Sequence, residues 1–129
     1  MAGEQKSPGF LAISPTGKVP VLVDRDFVLF ESVAILNYLA DKYPEKSLIP
    51  KAGTQERATY DQWMFFGVNE LEANLWTMEK HTWLYPEAER LSTAIILEEK
   101  DFLASAEVLS RGLGDSSFTV APVSRPIFA

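Results

Sequence analysis

Ser14-Pro15-Thr16-Gly17-Lys18-Val19-Pro20-Val21-Leu22-Val23-Asp24-Arg25-Asp26-Phe27-Val28-Leu29-Phe30-Glu31-Ser32-Val33-Ala34-Ile35-Leu36-Asn37-Tyr38-Leu39 changes its periodicity once, at Ser32. Before that point the β-branched run Val19-Pro20-Val21-Leu22-Val23 reads as a strand and Phe27-Val28-Leu29-Phe30 as a second. Asp24-Arg25-Asp26 between them reads as a tight turn, so the two runs predict an antiparallel hairpin. After Ser32 the apolar residues Val33, Ile35, Leu36, Leu39 and Tyr43 recur at helical spacing. Ser32 is the expected N-cap, its hydroxyl accepting from a free amide of the first turn. Pro44 is the expected stop.

Outward from this stretch, Lys6 to Ile13 reads as one loose helical turn ahead of Ser14-Pro15. Pro44 to Gly53 holds two prolines and a glycine and reads as a linker. Thr54 is the next expected N-cap, with Glu56 in the first turn, of a long helix to about Lys80. Met64, Val68, Leu71, Leu75 and Met78 form its apolar stripe. Phe65, Phe66 and Trp76 widen the stripe, which predicts burial on more than one side. Pro86 suits the first position of a further helix with Ala88, Leu91, Ile95, Phe102, Ala106 and Leu109 inward, ended by Gly112 and Gly114. Asp115 to Ala129 reads as irregular. Strands first and helices afterwards argue for an α+β chain in two units, 1–46 and 47–129.

Composition narrows the function classes. The formal net charge of -6 repels nucleic-acid phosphates and anionic membranes, so neither is an expected partner. No stretch approaches the roughly 18 apolar residues of a spanning helix. There is no cysteine, so disulfides, thiolate nucleophiles and cysteine metal sites are excluded within the chain. A reducing, cytoplasmic location fits this usage. His81 is the single histidine and reads as structural; no metal site is expected.

Several segments together resemble the cytosolic glutathione S-transferase family. Ser14-Pro15-Thr16-Gly17-Lys18-Val19-Pro20-Val21-Leu22 is similar to the segment leading into that family's third strand. Glu31-Ser32-Val33-Ala34-Ile35-Leu36-Asn37-Tyr38-Leu39 is similar to the opening of its third helix. Asp41-Lys42-Tyr43-Pro44, Leu48-Ile49-Pro50 and Asp61-Gln62-Trp63 continue the resemblance in order. Gly3-Glu4-Gln5 and Pro8-Gly9-Phe10 resemble the lead-in of theta-like, delta-like and bacterial members. The resemblance implies an incomplete thioredoxin-like N-terminal domain, hairpin plus helix, followed by an incomplete all-α C-terminal domain. The family's first strand–helix–strand has no counterpart, and Thr119 is followed three places later by Pro122 instead of an acidic residue. The expectation is a chain shortened at both ends.

The same resemblance implies a site. Pro20 would be cis, and the Val19 backbone would pair with the amides of glutathione's cysteine. Glu31 and Ser32 would hold the γ-glutamyl end: Ser32 and the helix-start amides its carboxylate, Glu31 its ammonium. Gln5 and Lys18 would reach the glycyl carboxylate. Met64, Phe65, Val68 and Trp76 would wall the pocket of a small electrophile. The family attacks that electrophile with glutathione as a thiolate, detoxifying it, and commonly works as a homodimer. A free thiol ionises near pH ~8.5, so a donor that favours the thiolate is required. That donor lies near the end of the family's first strand, and Tyr38, Tyr43, Tyr60 and Tyr85 do not match it, so no catalytic residue is assigned. A non-catalytic glutathione- or protein-binding module of the same fold is the alternative, and a gene product without activity is a third. A two-stranded hairpin lacking cover is marginal, so either low stability or burial against a second copy is expected.

Overall fold

The computed structural model describes residues 3–115, and the irregular segment expected from Asp115 to Ala129 lies, beyond Asp115, outside them. The described chain divides into two units, Met1–Ile49 and Pro50–Ala129. The first holds a short helix α1 (Pro8–Leu11), strands β1 (Val21–Asp24) and β2 (Phe27–Phe30), and helix α2 (Ser32–Lys42). The second holds α3 (Gln55–Phe66), α4 (Ala73–Glu79) and α5 (Ser92–Leu113).

In the first unit β1 and β2 pair antiparallel, Val21 opposite Phe30 and Asp24 opposite Phe27. The loop between them is two residues long, and Arg25 adopts φ 58°, the sense of twist that so short a connection needs. The strand begins at Val21 and not at Val19, because the chain turns at Pro20, which has no N–H to give a ladder. Helix α2 lies against both strands. Ile35 and Ala40 on α2, with Ile49 at the unit's end, are its buried apolar residues. The hairpin and α2 are tied by an ion pair between Asp24 and Lys42. The Tyr38 hydroxyl donates to the same carboxylate at 2.9 Å, and the Tyr38 ring lies against Phe27, centroids 5.2 Å apart.

One helix cap differs from the sequence reading and one agrees with it. Ser32 is the first helical residue of α2, and the N-cap is Glu31 with φ 75° and ψ 117° and no capping side-chain hydrogen bond. Thr54 caps α3 as expected, accepting from the Arg57 N–H at 3.2 Å.

In the second unit the expected long helix runs past Lys80. Two π-helical turns, Gly67–Glu72 and Lys80–Leu84, join and extend α3 and α4. Burial of this run on several sides does not occur. No residue of α3 or α4 is buried, and Phe65, Leu75 and Trp76 are exposed. Pro86 does not open the next helix. A 3-10 turn, Glu87–Glu89, intervenes, and Leu91 stands exposed just ahead of α5. Arg90 closes this joint by donating to the carbonyls of Tyr85 at 2.8 Å and Trp83 at 3.1 Å. His81 faces Tyr85 edge-on, and its Nδ1 accepts from the Leu91 N–H at 3.3 Å, so the histidine is structural.

Helix α5 packs on α4. Gly114 caps it with φ 55°, as a helix-ending glycine does. Gly112, expected to share that role, lies inside the last turn. A Cβ there would sit 2.3 Å from Cη2 of Trp63, so its work is to admit the indole. Among the described residues no helix is long and apolar enough to cross a membrane.

Candidate functional site

Ser14 is wholly buried, 0% exposed. Its hydroxyl donates to the Lys18 carbonyl at 2.8 Å and accepts from the Lys18 N–H at 3.2 Å. Both polar groups of one peptide neighbourhood are thereby satisfied without a strand partner. Gly17 turns within this loop at φ 64°, its N–H bonded to the Ser14 carbonyl at 2.9 Å. A Cβ at Gly17 would lie 2.8 Å from both the Gln5 carbonyl oxygen and Lys6 Nζ. Glycine therefore lets the Gln5–Lys6 turn press against the loop, and Lys6 Nζ donates to the Thr16 carbonyl at 3.1 Å. Ser14 and Lys6 are the supporting residues that sequence reasoning passed over. A serine before proline reads as turn chemistry, and nothing in its neighbours announces burial.

This loop delivers Val19 and Pro20. The bond between them is cis, as the resemblance implied, and Val19 is 77% exposed. Val21 pairs with Phe30 at the open end of the hairpin, so Pro20 directly precedes the first paired residue of β1 and Glu31 directly follows the last of β2. Glu31 is held at φ 75°, a backbone state that costs a non-glycine residue about 1–3 kcal/mol and concentrates at ligand sites. Its carbonyl accepts from the Ile35 N–H at 3.0 Å, so the helix starts correctly despite the strain. Ser32 is half-buried at the head of α2, where the first amides have no intrahelical acceptor. With no acidic residue in the first turn of α2, the partial positive charge of that helix end is left for an anion.

Gln5, Lys18, Val19, Pro20, Glu31 and Ser32 thus all fall in the first unit, around the open end of the hairpin. Met64, Phe65, Val68 and Trp76 fall in the second: Met64 and Val68 half-buried, Phe65 and Trp76 exposed.

The far end of the hairpin has a different character. The Lys42 ammonium beside Asp24, helped by the Tyr38 hydroxyl, holds the Asp24 carboxyl below its usual range. The same contact, chiefly the Asp24 hydrogen bond, raises Lys42. Tyr38 is thereby committed to the clamp, while Tyr85 packs on His81 and the Tyr60 ring carries the Arg57 guanidinium 5.9 Å from its centroid.

Residues 1–41 match the family model described as glutathione S-transferase, N-terminal domain. Over 66 residues the chain is 48% identical to glutathione S-transferase F10 of Arabidopsis thaliana, a match covering 50% of this chain and 30% of that protein. The crystal structure of glutathione transferase URE2P6 from Phanerochaete chrysosporium, in complex with oxidized glutathione, superimposes with a TM-score of 0.81 at 29% identity. It covers 93% of this chain and 56% of that one. A glutathione transferase homolog from Lodderomyces elongisporus, with two GSH per subunit, gives a TM-score of 0.79 at 27% identity over 92% of this chain and 60% of that one. The chain therefore spans about a third of the length of the sequence relative and a little over half of the structural ones. Residues 1–41 are thus similar in sequence to the N-terminal domain of glutathione S-transferases, and more than nine-tenths of the chain is similar in fold to a glutathione transferase.

Proposed function

We propose that this chain is a glutathione S-transferase-like protein whose first unit cradles glutathione and presents its thiol to a small electrophile. The observation that carries the reading is Glu31, strained at the head of α2 and directly after the last paired residue of the hairpin. A helix cap that serves stability alone gains nothing from positive φ. A carboxylate aimed at a ligand's ammonium group does.

In this reading the γ-glutamyl carboxylate sits on the Ser32 hydroxyl and the first amides of α2. Glu31 takes the ammonium. The exposed Val19 backbone adds the cysteinyl segment as a short antiparallel strand. Lys18 and Gln5 meet the glycyl carboxylate. Met64, Phe65, Val68 and Trp76 form the apolar wall for the electrophile. The two units then correspond to the family's N-terminal and C-terminal domains, the lead-in residues favour a theta/delta-like or bacterial class, the location is cytoplasmic and the working state is a homodimer.

Lowering a thiol's pKa needs a hydrogen-bond donor at the sulfur, and removing one preorganised donor costs roughly 10²–10³ in rate. Tyr38 is engaged by Asp24, and no catalytic residue is assigned. That engagement favours one second reading, a glutathione- or protein-binding module without turnover.

Calorimetric titration with glutathione, followed by a conjugation assay with an activated aryl halide, separates the two. Binding with turnover supports the transferase, and binding without turnover supports the module. Ser32→Ala is expected to weaken glutathione binding by about tenfold, the loss of one charge-assisted hydrogen bond. Equal binding by the variant and the parent overturns the cradle.

A further inference from the structure

Every polar group of Ser14 is engaged inside the protein. Its N–H donates to the Phe10 carbonyl at 2.8 Å, which fastens it to α1. Its C=O accepts from the Gly17 N–H at 2.9 Å. Its hydroxyl donates to the Lys18 carbonyl at 2.8 Å and accepts from the Lys18 N–H at 3.2 Å. The residue is 0% exposed, so solvent does not replace a contact that is lost.

The bond to the Lys18 carbonyl reaches further than Lys18. That carbonyl belongs to the peptide unit that also carries the Val19 N–H. The unit is trans, since the cis bond among the described residues is the next one, Val19–Pro20. In a planar trans peptide the C=O and the N–H point in opposite directions. Holding the carbonyl on Ser14 therefore aims the Val19 N–H directly away from Ser14. The plane runs from a buried hydroxyl to a residue that is 77% exposed, so its N–H end is the outer one. The Lys18 N–H is held on the same oxygen. Both peptides flanking the Lys18 α-carbon are thus tied to one atom, whatever the lysine side chain does. A carbonyl that accepts a hydrogen bond also polarises its amide, which strengthens the N–H as a donor.

We propose that Ser14 is a positioning residue for the cysteinyl part of glutathione: through the Lys18–Val19 peptide it aims the Val19 N–H at the ligand's cysteinyl carbonyl. This rests on the glutathione cradle proposed above, and it divides that cradle in two. The cysteinyl contact depends on Ser14. The γ-glutamyl contacts at Glu31 and Ser32 belong to the head of α2 and do not pass through the loop. A serine that served stability alone would hold the unit together without favouring one end of the ligand over the other.

The test uses the full chain and two ligands, glutathione and γ-glutamylmethylamide, which ends before the cysteinyl carbonyl. Both are titrated by NMR, which also reads the Val19 amide. Ser14→Ala is expected to weaken glutathione about tenfold, the loss of one well-aimed hydrogen bond, and to change the methylamide by less than about twofold. Ser14→Thr keeps the hydroxyl donor and acceptor and returns glutathione to within about threefold of the parent. Asp24→Asn loosens the same unit at the far end of the hairpin and leaves glutathione affinity unchanged. In the parent the Val19 amide proton moves downfield as glutathione binds; in Ser14→Ala it moves less. Circular dichroism checks that each variant folds. Should Ser14→Ala not fold, Ser14→Cys, close in size but a weak donor and acceptor, takes its place. A parent that does not bind glutathione overturns the cradle and the role of Ser14 together. A parent that binds it, with folded Ser14 variants that bind it equally well, overturns the role of Ser14 and leaves the cradle standing. Equal losses of both ligands in Ser14→Ala do the same, as does an Asp24→Asn that loses glutathione to the extent Ser14→Ala does.

Discussion

Replacing Gly112 with alanine sets two effects of the same residue against each other. In a helix interior alanine is favoured over glycine by about 0.8–1.0 kcal/mol, so propensity alone predicts a gain. The added Cβ, however, would stand 2.3 Å from Cη2 and 2.4 Å from Cζ2 of Trp63. These atoms belong to a rigid ring that is itself packed edge-on against Phe66 at 5.4 Å. The indole must therefore swing away by more than an ångström and give up its contacts. Overpacking of this kind costs about 1–3 kcal/mol, and a rigid neighbour puts the value in the upper half of that range. The net expectation for Gly112→Ala is a loss of about 1–2 kcal/mol, or roughly 4–8 °C in melting temperature for a chain of this size. The matched control is Gly67→Ala, where helical φ and open space around the Cβ leave only the propensity term. Thermal and urea melts followed at 222 nm decide the matter. The two variants should move in opposite directions. Adding Trp63→Phe should recover part of the Gly112→Ala loss by non-additivity, as residues in contact do. Gly112→Ala melting at or above the parent would refute the close approach of Trp63, and with it the account of how α3 and α5 meet.

Glu31→Gly should raise stability by about 1 kcal/mol through relief of positive φ, less the entropy glycine adds to the unfolded chain. The same variant should weaken glutathione binding; a melt and a titration on one preparation check both. Ser14→Ala should cost about 1–3 kcal/mol, because it strands the Lys18 N–H and C=O that the buried hydroxyl satisfies; urea denaturation reads this directly. The Asp24–Lys42 clamp has a defined pH window. Asp24 is depressed, so its contribution is present above its ordinary 3.8 and fades as pH falls below it. Lys42 is raised, so its contribution is present below its ordinary 10.5 and fades as pH rises beyond it. Asp24→Asn should therefore flatten both limbs of a stability–pH profile; a parent-like profile in the variant would show that the clamp contributes nothing.

Much of the first unit was legible in the sequence, because its signals are local. The two apolar runs around a tight turn and the switch of period at Ser32 need no distant contact to be read. The exact cap did not follow. Serine is the better N-capping residue by propensity, and only the requirement that the chain double back from β2 into α2 puts Glu31 at φ 75°. The second unit was read for its helices but not their detail. The π-helical turns at Gly67–Glu72 and Lys80–Leu84 shift hydrogen bonds by one residue and leave no mark on an apolar stripe. That is one reason why the stripe's inward face was drawn too wide. Gly112 was read as punctuation, since a glycine near a helix end normally is, and a packing role depends on a tryptophan 49 positions earlier in the chain. The candidate site residues came from the family resemblance, whereas their supports, Ser14 and Lys6, became visible only with the loop closed.

The joint between α4 and α5 has a consequence for how the chain comes together. Arg90 reaches back five and seven residues and His81 reaches forward ten. Every partner in that clasp is thus a near neighbour along the polypeptide. A corner closed by such short loops forms at little entropic expense, so the helical hairpin is the natural first structure to appear during refolding, ahead of the strand pairing in the other unit. Hydrogen-exchange labelling should find amides around Leu91 protected before those of Val21–Asp24.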